Sequence, residues 1–314
     1  MTAAMSEVDL HPLAIATLNA IAASGQKPYH LCTPQEVRAD VAARLRALPA
    51  RIHPGVAGIS DMTLAGPAGP LGARRYDPTT VSGPGAIVYA HGGGWVFGAP
   101  DLFDPLCSWL AAAAQRPLLS IEYRLAPESR FPGPLEDMVA AVEALTASFG
   151  PLVVAGDSAG GNLAAASALL LADRGSSPLV GQILLYPVLD HGGDTLSYQK
   201  LGPAGRIISG DDMRWFWDQY APGSARDHAY AAPLRGIRFD HLPPAYLAVA
   251  GWDPLHDEGV HYAERLRNAG VPVTLDDLGD MLHGFCSQAG ILDRADEVIG
   301  RAGRLASHWL SAQD

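Results

Sequence analysis

The chain has 314 residues, 48% of them hydrophobic and 18% charged, enough to bury the core of one large α/β domain or two smaller ones. Its formal net charge of −11 excludes the basic footprint that nucleic acid or an anionic membrane surface selects. Cys32, Cys107 and Cys286 are odd in number and widely spread, which argues against a disulfide framework and a cysteine-based zinc site.

No basic stretch precedes an apolar core in residues 1–10, and no run of 18 apolar residues occurs, so a cytoplasmic protein without a membrane partner is expected. Residues 12–23 carry Leu13, Ala16, Leu18 and Ile21 at helical spacing. Thr33-Pro34-Gln35-Glu36 reads as an N-cap, a first-turn proline and a capping-box acid, predicting a helix that runs to about residue 48 and stops before Pro49. Residues 1–50 are therefore read as an N-terminal helical cap segment. Residues 59–64 and 71–76 are short strand candidates about a turn-rich 66–70. Strand candidates then fall at 86–90, 118–123, 152–155, 182–186, 245–250 and 271–275. Helical patterns lie between and after them, within 101–114, 135–149, 163–172, 258–269 and 288–310. Continuous apolar strands alternating with helices predict an α/β class fold, a mostly parallel sheet covered on both faces. Residues 190–232 break the alternation. They are rich in Gly, Asp and aromatic residues, with Trp215, Phe216, Trp217 and Tyr220 on a short helix. They are read as a second cap insert at the crevice where ligands bind, the alternative being a helix packed on the surface. Residues 51–189 and 233–314 then form the catalytic domain.

The 152–155 strand runs into Gly156-Asp157-Ser158-Ala159-Gly160-Gly161-Asn162 and then an Ala- and Leu-rich helix. A strand, a turn with Ser158 at its apex and a helix make a nucleophile elbow; by itself the string could be a glycine-rich helix cap. Side chains two residues to either side of the serine would strike strand and helix, which is why glycine stands there. His91-Gly92-Gly93-Gly94-Trp95 follows the 86–90 strand. Its spacing fits neither phosphate-loop pattern, whereas acyl transfer needs exposed backbone N–H donors. Gly92, Gly93 and Ala159 are the expected oxyanion donors. His91 is read as structural, holding the loop. Trp95, Phe97 and Trp215 are candidates for the pocket wall.

The nucleophile is followed in chain order by an acid and then a histidine. Asp253 ends the 245–250 strand segment, and His283 lies on the loop after the last strand. Asp257 reads instead as a helix-start residue, while Asp276, Asp277 and Asp280 are loop acids that remain alternatives to Asp253. His256, His261 and His308 fall on or near helices. These residues support Ser158 as nucleophile, His283 as base and Asp253 as its orienting acid.

Taken together, His91 to Trp95, Tyr123-Arg124-Leu125-Ala126-Pro127-Glu128, Phe131-Pro132 with Asp137, the elbow, Tyr186-Pro187, Asp253-Pro254-Leu255 with Asp257-Glu258-Gly259, and His283-Gly284-Phe285 resemble the hormone-sensitive-lipase-like family of α/β-hydrolase carboxylesterases. The resemblance covers residues 91–285 in the family's order and the first 50 residues only loosely. It implies an eight-stranded α/β-hydrolase sheet, a helical cap, esters of short to medium acids as small-molecule substrates, no cofactor and no metal. It also implies Ser158, Asp253 and His283 as the triad, and homodimers paired through the edge strand before the histidine. His256 departs from the arginine often found there, and Met281-Leu282 before the histidine is a second local departure. Arg124 and Glu128 are read as one structural network near the elbow. An amidase or arylformamidase on the same triad is the alternative activity. A non-catalytic binding module, as in the plant gibberellin receptors that resemble this family without its histidine, is disfavoured by the presence of His283.

Overall fold

Apolar runs with no polar face must be covered on both sides, and the three shortest strands show it: every residue of β3 (Ala86–Ala90), β4 (Leu118–Ile121) and β5 (Leu152–Asp157) is buried. The structure, a computed structural model, describes residues 10–47, 51–175, 177–203 and 207–312. The remaining strands are β1 (Val56–Gly66), β2 (Gly69–Pro78), β6 (Leu179–Leu185), β7 (Ala245–Trp252) and β8 (Val273–Leu282). They form one eight-stranded sheet in the order β1-β2-β4-β3-β5-β6-β7-β8. β1 pairs antiparallel with β2, and β2 with β4; the other neighbours run parallel.

Helices α3 (Asp104–Ala114) and α9 (Asp293–Ser311) cover one face, and α4 (Gly133–Phe149), α5 (Ala159–Asp173) and α8 (His256–Asn268) the other. The two-residue period of a strand divides the side chains. Ile87 and Tyr89 of β3 enter the α3–α9 core, and Ala86, Val88 and Ala90 the opposite one. β3 sits between β4 and β5, so the chain reverses its direction of growth across the sheet there. Ligands bind beyond the carboxyl ends of strands at such a point. Ala90 is in register with Gly156, which sets the loop after β3 beside the turn after β5.

The N-terminal helices are α1 (Pro12–Ser24) and α2 (Pro34–Arg46), the latter started by the predicted Thr33–Glu36 capping box. The predicted continuation to residues 48–49, like residues 1–9 and 204–206 of the two inserts, lies outside the described residues. Residues 190–232 contain α6 (Leu196–Leu201) and α7 (Gly210–Tyr220). Asp212 joins the two inserts. Its Oδ2 accepts from Ser209 to cap α7, and its Oδ1 accepts from the His30 backbone N–H at 3.0 Å and lies 2.8 Å from His30 Nδ1.

β8 corrects the sequence reading. It does not stop at residue 275 but reaches Leu282, so Asp276, Asp277 and Asp280 are strand residues rather than loop acids. As an edge strand with little buried surface it tolerates carboxylates that interrupt the apolar pattern. Each is engaged elsewhere: Asp276 with Tyr246, Asp277 with His256, Asp280 with Arg294. Arg124 and Glu128 also separate. Arg124 binds Asp137 at 2.8 Å, whereas Glu128 binds Arg38 of α2.

Arg38 fastens α2 to the sheet domain, donating Nε to the Val96 carbonyl at 2.7 Å and Nη2 to the Ala126 carbonyl at 2.8 Å. The exposed Glu128 adds little, so the two carbonyl bonds carry the tether. Arg38→Met is predicted to cost about 1–2 kcal/mol locally, raising the population of the opened segment about 5–30-fold. Limited proteolysis should report this as faster cleavage within residues 10–47; an unchanged rate would contradict the tether.

Candidate active site

Between the end of β5 and the start of α5 only Ser158 intervenes, with a positive φ of 54° and a ψ of −119°. Such a conformation in a residue with a Cβ costs about 1–3 kcal/mol and persists only when packing over-determines it. A Cβ on Gly156 would lie 2.2 Å from the Gly160 carbonyl oxygen, and one on Gly160 would lie 2.0 Å from that of Ala90. The three backbones are therefore in contact and the turn cannot relax. Ser158 N–H donates to Leu185 at 2.9 Å, while its carbonyl accepts from Asn162 at 3.1 Å and Val188 at 3.2 Å.

β7 delivers Asp253 and β8 delivers His283. Asp253 is fully buried; its Oδ1 accepts from Leu255 N–H at 2.9 Å and its Oδ2 lies 2.6 Å from His283 Nδ1. A carboxylate at Nδ1 fixes the ring proton there and leaves Nε2 as an acceptor. Nε2 lies 2.9 Å from Ser158 Oγ. The Tyr186 ring stands edge-on to the imidazole at 5.0 Å and limits its rotation. Asp257 is in the first turn of α8, where it accepts from Ser197 N–H at 2.9 Å and pairs with His256. Asp276, Asp277 and Asp280 do not contact His283. The structure thus brings together Ser158, His283 and Asp253, from three separate strand ends.

The glycine loop differs from expectation at one position. Gly92 N–H donates to the buried Asp157 Oδ1 at 2.7 Å and is not available to a ligand. The N–H groups of Gly93, Gly94 and Ala159 donate to none of the described residues, and Gly93 and Gly94 face the same cavity as Ser158. The free donors are therefore one residue further along the loop than the sequence reading placed them. Asp157 also accepts from the Tyr89 hydroxyl at 2.6 Å. Burial raises its carboxyl to about 6, against the lowering effect of these two donors. Its role was not visible in the sequence, where it is only the residue before the nucleophile. His91 is structural in its contacts. Its Nδ1 meets the Gly92 carbonyl at 2.8 Å, and its ring stacks between Phe103 and Tyr123. Burial pushes its imidazole down to about 4.

Above the serine is a cavity of about 480 Å³. Tyr29 and Val41 from the N-terminal segment and Ile208, Met213 and Phe216 from the second insert contribute to its wall. Of the aromatic candidates, Phe97 lines it. Trp95 and Trp215 do not. Trp95 is fully buried, stacked at 4.2 Å on Tyr220 and packed on Trp217. On α7 the buried stripe is Met213, Phe216, Trp217 and Tyr220, at helical spacing; Trp215 falls beside it.

A family model described as alpha/beta hydrolase fold matches residues 87–287. The chain is 36% identical to the esterase LipI of Mycobacterium tuberculosis, over 93% of this chain and 92% of the relative. It is 37% identical to the ethyl acetate hydrolase of Pseudomonas putida, over 77% and 80%. Among solved structures, the hyperthermophilic esterase from the archaeon Pyrobaculum calidifontis is similar with a TM-score of 0.89 at 33% identity, covering 95% of this chain and 98% of that one. The match takes in the glycine loop, the elbow and both late strand ends in one span, and the chain belongs to the α/β-hydrolase fold family, in the hormone-sensitive-lipase-like branch that its motifs resemble.

Proposed function

We propose that this chain is a carboxylesterase that hydrolyses short- to medium-chain acyl esters through an acyl-enzyme on Ser158. The observation that carries the reading is the unbroken hydrogen-bonded line from Asp253 through His283 to Ser158 Oγ, at 2.6 and 2.9 Å, opening on the cavity. His283 Nε2 accepts the hydroxyl proton as Oγ attacks the ester carbon, and Asp253 stabilises the imidazolium. The negative charge that develops on the carbonyl oxygen is met by the N–H groups of Gly93, Gly94 and Ala159. Each such donor is worth about 10²–10³ in rate. The protonated His283 then supplies its proton to the leaving alcohol. Water, activated by the same imidazole, releases the acid.

The two inserts act together as the cap in this reading, since both contribute side chains to the cavity wall and Asp212 links them. A cavity of about 480 Å³ with Val41, Phe97, Ile208, Met213 and Phe216 among its lining residues suits a small ester rather than a long lipid chain. The similarity to an ethyl acetate hydrolase points the same way.

Two measurements test this. With p-nitrophenyl esters from acetate to palmitate, kcat/KM should peak at octanoate or shorter, and a maximum at laurate or longer would contradict the size argument. Ser158→Ala and His283→Ala should each lower kcat by at least about 10⁴-fold while folding normally. Asp253→Asn should also fall by about 10⁴-fold through loss of the correct tautomer. Asp257→Asn should stay within about tenfold of the parent, because Asp257 touches neither His283 nor Ser158. The reverse ranking of the two aspartates would overturn the assignment.

A further inference from the structure

The cavity above Ser158 extends to a wall that carries three arginines, Arg44 and Arg46 of α2 and Arg51 beyond it. Asp101, Asp104 and Asp157 line the same cavity and match these arginines in number, but the contacts among the described residues leave Arg51 without a carboxylate partner. Arg44 is paired along its own helix with Asp40 at 3.0 Å, and Arg46 with Asp101 at 3.0 Å. Arg51 donates to the Gly290 carbonyl at 3.0 Å and meets no carboxylate among the described residues. The other acids on the cavity wall are already engaged. Asp104 is held by Arg74 at 2.8 Å and by the Tyr76 hydroxyl at 2.7 Å, and Asp157 by Tyr89 and Gly92. Leu102, Phe103 and Ile291 supply apolar surface to the same cavity. A guanidinium offers a planar fork matched to a carboxylate, and an apolar stretch before it accommodates methylenes.

We propose that the preferred substrates are esters bearing an anionic group remote from the scissile bond, received by Arg51 with Arg46 beside it. This rests on the hydrolase reading above and specifies its substrate class. Two matched pairs distinguish where the anion is carried: monoethyl adipate against ethyl hexanoate places it on the acyl side, and ω-acetoxyhexanoate against hexyl acetate on the alcohol side. In the parent protein at least one anionic ester should exceed its neutral counterpart in kcat/KM. That ratio should fall about threefold or more in Arg51→Gln, and again when salt rises from about 0.02 M to about 0.5 M. Arg51→Lys should restore part of the ratio, and the neutral esters should change little throughout. Turnover of neutral esters with both ratios indifferent to Arg51→Gln and to salt would overturn the proposal and leave the hydrolase reading standing. Absence of turnover of all four esters by folded protein would overturn both.

Discussion

The contact of three backbones at the elbow is the constraint on which the site depends. Ser158 is held at a φ of 54° in a turn where Gly156, Gly160 and Ala90 approach too closely to admit a side chain on either glycine. Ala90 ends β3, so the same contact fixes where the glycine loop begins. The nucleophile and its surrounding N–H donors are therefore positioned by one packing event rather than by two independent loops. The parallel register of β3 and β5, with Ala90 opposite Gly156, transmits the order of the core to that point. Strain of about 1–3 kcal/mol is small against the burial that opposes its release.

Two buried carboxylates serve the site in different ways. Asp253 binds the imidazole and one backbone N–H, and so determines which ring nitrogen faces the serine. Asp157 binds the Tyr89 hydroxyl and the Gly92 N–H, and so determines which glycines of the loop retain free donors. Occupying Gly92 turns the following two residues toward the cavity while leaving His91 packed between aromatic rings. The acid adjacent to the nucleophile in sequence is thus a support for the loop, and the acid 95 positions after the nucleophile orients the base.

The chemistry was more legible in the sequence than the cavity was. Ser158, Asp253 and His283 could be read because each must follow a strand, and strands buried on both faces announce themselves as apolar runs. β8 was misjudged for the opposite reason: an edge strand exposes much of its surface and admits Asp276, Asp277 and Asp280 without cost to the core. Which glycine N–H is free depended on a hydrogen bond to Asp157, 65 residues away in the chain, and no local pattern encodes that. Trp95 and Trp215 illustrate the same limit. An aromatic ring near a site is equally consistent with lining it or with supporting the helix that does, and the stacking of Trp95 on Tyr220 decided for support. Arg38 was passed over because its two carbonyl acceptors lie far along the sequence.

The central claim is that strain at Ser158 and the Asp157–Gly92 bond together aim a nucleophile and three free N–H groups at one point. A crystal structure of the protein inactivated with a small alkyl phosphonate tests it most directly. The account predicts phosphorus bonded to Ser158 Oγ, with the phosphoryl oxygen about 2.7–3.1 Å from the N–H groups of Gly93, Gly94 and Ala159. Gly92 should still donate to Asp157. A phosphoryl oxygen bound instead by Gly92, or an adduct on any residue other than Ser158, would contradict it.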